Sequence, residues 1–115
     1  MTFDDVRAFA LTWPDVADGT SYGTPALKVR TKLLARLKED NDSLVLTGIE
    51  PDERAMMMEA RPRVFYITEH YRDWPNVLVR LSACPRGVLE PLLRRRWKAL
   101  ASKAALKAYE RENGG

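Results

Sequence analysis

The stretch Ala26-Leu-Lys-Val-Arg-Thr-Lys-Leu-Leu-Ala-Arg-Leu-Lys38 decides the architecture. In its first half, Leu27 and Val29 alternate with Lys28 and Arg30. In its second half, Leu33, Ala35 and Leu37 alternate with Leu34, Arg36 and Lys38. A period of two marks strands that set one face on a core and the other toward water. Thr31-Lys32 is the short turn that joins them as a hairpin. The polar turn Glu39-Asp-Asn-Asp42 then leads to a third strand of the meander at Ser43–Gly48.

Outward from the hairpin, the period changes to that of helices. Residues 2–12 read as a helix, with Thr2 and Asp5 spaced as a capping box and an apolar stripe of Phe3, Val6, Phe9, Ala10 and Trp13. Pro14 closes it, and Asp18-Gly19 and Tyr22-Gly-Thr-Pro25 read as a turn region. Pro51, followed by Asp52 and Glu53, opens a second helix that runs to about Ala60. Its Met56, Met57 and Met58 cannot share one face, so some join the core and one stays exposed. Val64–Thr68 and Val77–Ser82 read as strands flanking the loop Glu69–Pro75. A long helix from about residue 86 to 111 carries Leu89, Leu92, Leu93, Trp97, Leu100 and Ala104 on its stripe.

The order α, three or four β, α, two β, α predicts an α+β domain of two layers. Its antiparallel sheet has helices on one face and leaves the other open. At 115 residues the chain is expected to form one domain over 1–111, with a loose tail at 112–115. No apolar run reaches the roughly 18 residues of a membrane span, and the acidic start Met1-Thr-Phe-Asp-Asp5 lacks the features of a signal peptide. Cys84 is the one cysteine, which excludes an internal disulfide and a cysteine zinc site. It sits before Pro85 with no motif marking it as reactive and reads as structural. The expectation is a cytoplasmic protein with no cofactor and no metal.

Charge is unevenly spread. Residues 1–60 carry a net −4 and residues 61–115 a net +7. A basic half on a small domain steers anionic partners more than the overall +3 suggests.

Three segments carry a family resemblance. Ser21-Tyr-Gly-Thr-Pro25 leads into the basic hairpin, Val64-Phe-Tyr-Ile-Thr-Glu-His-Tyr71 is a strand ending in a His-Tyr pair, and Trp74-Pro-Asn-Val-Leu-Val-Arg-Leu81 is the strand after it. In this order they resemble the MmcQ/YjbR-like family, which has a Gly-x-Pro turn before a basic β-hairpin. Thr2-Phe-Asp-Asp-Val-Arg7 and Leu11-Thr-Trp-Pro14 also fit, so the resemblance runs from about residue 2 to 109. It implies a YjbR-like α+β fold and DNA binding, because the family's sheet is similar to a double-wing DNA-binding module. Many members end near a Ser-Tyr pair and a short helix. Here Arg94-Arg-Arg-Trp-Lys98 lies inside a longer helix, so no role of that ending carries over.

The residues themselves offer one basic surface. Lys28, Arg30, Arg36 and Lys38 fall on the outer side of the hairpin, and Arg80 joins them if its strand lies in the same sheet. Such a ribbon tracks phosphates, and Arg36 is placed to read a guanine edge. Duplex DNA is the expected partner and no catalytic residue is assigned. Arg94, Arg95, Arg96, Lys98, Lys103, Lys107 and Arg111 add cations along the last helix, where they also suit its solvated side.

Two other readings stay open. Leu34 and Leu78, if exposed on the outer face, favour a protein-interaction module, since the fold type also resembles secretion chaperones. Tyr22, His70, Tyr71 and Trp74 are candidates for a polar-aromatic pocket for a small ligand or anion. His70 is the only histidine and has no recognisable nucleophile or second ligand beside it.

Overall fold

Thr2 opens the first helix in the predicted way. In the computed structural model, which describes residues 1–114, the Thr2 backbone N–H donates to Asp5 Oδ2 at 2.8 Å and the Asp5 N–H donates to Thr2 Oγ1 at 3.3 Å. Helix α1 (Phe3–Ala10) buries Phe3, Val6, Phe9 and Ala10. Strands β1 (Val16–Ser21), β2 (Thr24–Val29), β3 (Lys32–Leu37) and β4 (Ser43–Thr47) follow, then α2 (Pro51–Ala60), β5 (Phe65–Tyr66), β6 (Asn76–Arg80), α3 (Arg86–Leu100) and α4 (Lys103–Glu112). The six strands form one sheet, fully antiparallel, in the order β1-β2-β3-β4-β6-β5.

Register explains which side chains become core. Leu27, Ala35, Leu46 and Val77 lie in one cross-strand row, and Leu37, Leu44, Val79 and Phe65 in the next. Both rows face a single cluster that takes Phe3, Val6 and Phe9 from α1, Leu89, Leu93 and Trp97 from α3, and Ala105 from α4. Met57 and Met58 pack at its margin while Met56 is exposed, as the spacing of the three requires. Helices therefore cover one face of an α+β sheet.

Several local expectations change. Val16–Ser21, expected as part of a turn region, is an edge strand paired along its whole length with β2. The β2–β3 turn is Arg30-Thr31 rather than Thr31-Lys32, because Val29 pairs with Lys32 and Arg30 takes the left-handed φ of 61°. The pairing of β2 with β3 shifts between Leu27–Ala35 and Lys28–Leu33, so Leu34 is an extra residue in a bulge. The bulge turns Leu34 into the core, where it is fully buried, instead of onto the outer face. The strand expected at Val64–Thr68 shortens to Phe65–Tyr66, and the strand expected at Val77–Ser82 ends at Arg80 in a 3-10 turn, Leu81–Ala83. Asp42 holds that turn by accepting from the Ser82 N–H and hydroxyl.

The long C-terminal helix is two helices. Ala101 leaves helical geometry, and Ser102 caps α4 by accepting from the Ala105 N–H at 3.1 Å. Of the tail expected at 112–115, Glu112 closes α4 and Asn113 donates to the Tyr109 carbonyl, while Gly115 lies outside the described residues. Among the described residues no helix is long and apolar enough to cross a membrane.

Candidate nucleic-acid interface

The second face of the sheet is only partly open. Its central row runs Ala26, Arg36, Val45, Leu78 and Tyr66 across five strands. The segment after β5 folds back over this row in a short 3-10 turn, Glu69–Tyr71, and Tyr71 packs on Val45 and Leu78. Leu78 is therefore on the outer face but fully buried. With Leu34 in the core, neither leucine offers an exposed apolar surface.

Alternation places Lys28, Arg36, Lys38 and Arg80 on this face, but it does not make them equivalent. Arg36 is 6% exposed. Its guanidinium donates to the Tyr71 hydroxyl at 2.6 Å and to Thr24 Oγ1 at 3.1 Å, and more distantly to the Leu37 carbonyl and Glu39. A guanidinium buried to this degree and held by Tyr71 and Thr24 is not presented to a guanine edge, so that role is corrected to a structural one. Arg80 stacks on Tyr66, with its guanidinium carbon 4.0 Å from the ring centre, and donates to the Pro62 and Arg63 carbonyls. Tyr66 in turn shares a short hydrogen bond with Ser43, whose hydroxyl donates to Asp40. Lys38 lies with its ammonium 5.8 Å from the centre of Tyr71. The stem of Lys28 runs over Gly19 of β1, which leaves its ammonium at the rim. Arg30 stands exposed in the turn, next to the exposed Lys32, a cation that alternation alone does not place in this group.

Among the described residues, ion pairs involve Arg7, Arg36, Arg72, Arg86 and Arg95. Lys28, Arg30, Lys32 and Lys38 are in none of them. On the last two helices Arg95 makes a bidentate pair with Glu53 at 2.8 Å, and Arg96 donates to Thr47 Oγ1 at 3.0 Å. Arg96 lies against Gly48, where a Cβ would stand 2.6 Å from its Cδ. Lys98 covers Tyr109, while Lys103, Lys107 and Arg111 remain exposed on α4.

The four residues named for a pocket do not enclose one. Tyr71 is buried, and His70 stands outside it, edge-on at 4.8 Å between ring centres. Trp74 is 61% and Tyr22 86% exposed. Clefts in the surface lie elsewhere, around α3 and α4 and beneath the Val29–Lys32 turn. Tyr22 and Gly23 form the two-residue β1–β2 turn, with φ of 52° and 78°. Positive φ at both positions is the mark of a type I′ hairpin turn, which favours Asn, Asp or Gly. Burial raises the Cys84 thiol above its ordinary pKa, which suits its structural reading.

Arg54 was missed in the sequence. It is a buried cation among the charged residues that open α2, and it donates to the carbonyls of Arg72 (2.9 Å), Trp74 (2.9 Å) and Asn76 (3.0 Å). It fixes the loop that carries Tyr71 over the sheet. No single-residue signal marks it, because its acceptors are backbone atoms about 20 positions away.

The segments that form this face are also those a family model recognises. The model described as YjbR matches residues 11–99. The chain belongs to the YjbR family. Similar relatives include uncharacterised proteins of Mycobacterium tuberculosis (Rv2570) and Mycobacterium bovis (Mb2600), each 28% identical over 98% of both chains. The crystal structure of the Deinococcus radiodurans protein DR2400, with its DUF419 domain, matches with a TM-score of 0.72 at 24% identity, over 98% of this chain and 88% of that one. That likeness is one of overall fold. In this chain the hairpin after the Gly-x-Pro turn comprises β2 and β3, and the His70-Tyr71 pair lies in the segment folded across the second face.

Proposed function

We propose that this chain is a non-enzymatic, cytoplasmic nucleic-acid-binding protein that holds DNA by its phosphates. The observation that carries the reading is the set of cations at the hairpin and its outer face, Lys28, Arg30, Lys32 and Lys38, none of which makes an ion pair among the described residues, although Lys38 feels the charges of Glu39 and Asp40. Cations of this kind supply sequence-independent affinity by releasing counterions from DNA. Arg36 and Arg80 support the surface from beneath by ordering Tyr71 and Tyr66. The fold-level likeness of the family to a double-wing module agrees with this use of a hairpin.

The combined change Lys28→Ala, Arg30→Ala and Lys38→Ala tests it. Removing one cation that meets a phosphate makes the salt slope of binding shallower by about one unit. The triple variant is therefore expected to bind a random duplex more weakly, with a slope shallower by about three units. An unchanged slope removes the hairpin from the interface.

A further inference from the structure

Tyr22, like Arg30, is a bulky, exposed residue held in a left-handed turn position, and it is the aromatic one of the two. It occupies the first position of a two-residue turn at φ 52°, a conformation that suits Asn or Gly and strains a bulky side chain. Its ring is 86% exposed, so burial does not offset the strain. Strain held without core packing points to use at the surface.

Its surroundings indicate what that use is. The nearest charge is the Arg36 guanidinium, on one side of the ring at 5.2 Å from its centre. That guanidinium is itself fixed, by Thr24 at the base of the same hairpin and by the Tyr71 hydroxyl. The two other tyrosine rings of the face are already covered by cations, Tyr71 by Lys38 and Tyr66 by Arg80. Tyr22 is thus an open ring on a fixed hairpin turn, presented at the Lys38 end of the surface.

We infer that this face binds single-stranded nucleic acid in preference to duplex, with an unpaired base stacked on Tyr22, the adjoining phosphate on Lys38 and the strand continuing toward Lys28, Arg30 and Lys32 along the hairpin. Bases inside a duplex have both π-faces covered by the next pair and show only their edges. An unpaired base has a free face that any aromatic platform accepts, whatever its identity. The Arg36–Tyr22–base order extends the cation–aromatic stacking already present on the sheet. The inference rests on the nucleic-acid reading of this face.

The experiment compares a fluorescent mixed-sequence 20-mer with its own duplex at one salt concentration, using the wild-type chain, Tyr22→Phe and Tyr22→Asn. Asn suits the turn, so that variant keeps the hairpin. The wild type and Tyr22→Phe are expected to bind the single strand more tightly than the duplex. Tyr22→Asn is expected to weaken single-strand binding about tenfold and leave duplex binding unchanged. Equal loss on both forms, or no loss on the single strand, overturns the stacking inference while the phosphate reading stands. Binding of neither form by the wild type overturns both.

Discussion

Trp97→Ala is expected to cost about 4 kcal/mol, the range for removing a fully buried aromatic side chain. In a domain of this size that lowers the melting temperature by about 15 °C. Trp97 is fully buried, and its ring lies 5.8 Å from Trp13 and 5.0 Å from Tyr109. It also donates its indole N–H to the Pro14 carbonyl at 2.8 Å. One side chain thus joins α3 to the turn after α1 and to α4. Trp97→Phe keeps most of the packed area and leaves that carbonyl without its donor, at about 1–2 kcal/mol. Since domains are stable by only about 5–15 kcal/mol, the alanine variant approaches the unfolding limit. Urea unfolding of the two variants checks this, and a loss below about 1 kcal/mol for Trp97→Ala contradicts the core described above.

The second large effect is expected at Arg54. Arg54→Met retains the stem and the helix propensity of α2 but removes three donors from the loop at residues 72–76. Hydrogen bonds from a charged donor are each worth about 1.5–3 kcal/mol, and water recovers part of that at a loop. A net loss of about 3 kcal/mol follows. Amide exchange distinguishes this from a general loss of stability: protection falls first in residues 69–76, ahead of β3 and β4. Arg54→Lys restores one bond at most and is expected to fall between the two.

The core was legible where one periodicity governed a segment. The alternation around Leu27 and Leu37, the capping box at Thr2 and Pro51 at a helix start all depend on near neighbours. The edge strand β1 was not, because Asp18-Gly19 is poor strand material and an edge requires little of its residues. The break at Ala101 was hidden by a stripe that continues on both sides, although Ser102 is a good capping residue. At the candidate site, alternation correctly placed Arg36, Lys38 and Arg80 on one face. It was silent about what lies over that face. Tyr71 reaches Arg36 from 35 residues away, and the same long-range packing buries Leu78. Leu34 followed from neither pattern, since a bulge changes the phase of a strand without changing its composition.

The measurement that bears most directly on the account is the salt dependence of wild-type binding to a random fluorescent DNA duplex, followed by anisotropy. With Lys28, Arg30, Lys32 and Lys38 each meeting a phosphate, affinity is predicted to fall about a hundredfold between roughly 50 and 200 mM salt. Absence of binding at the lower salt, by the duplex and by its single strand alike, or an affinity that salt leaves unchanged, contradicts the proposal that this basic face holds nucleic acid.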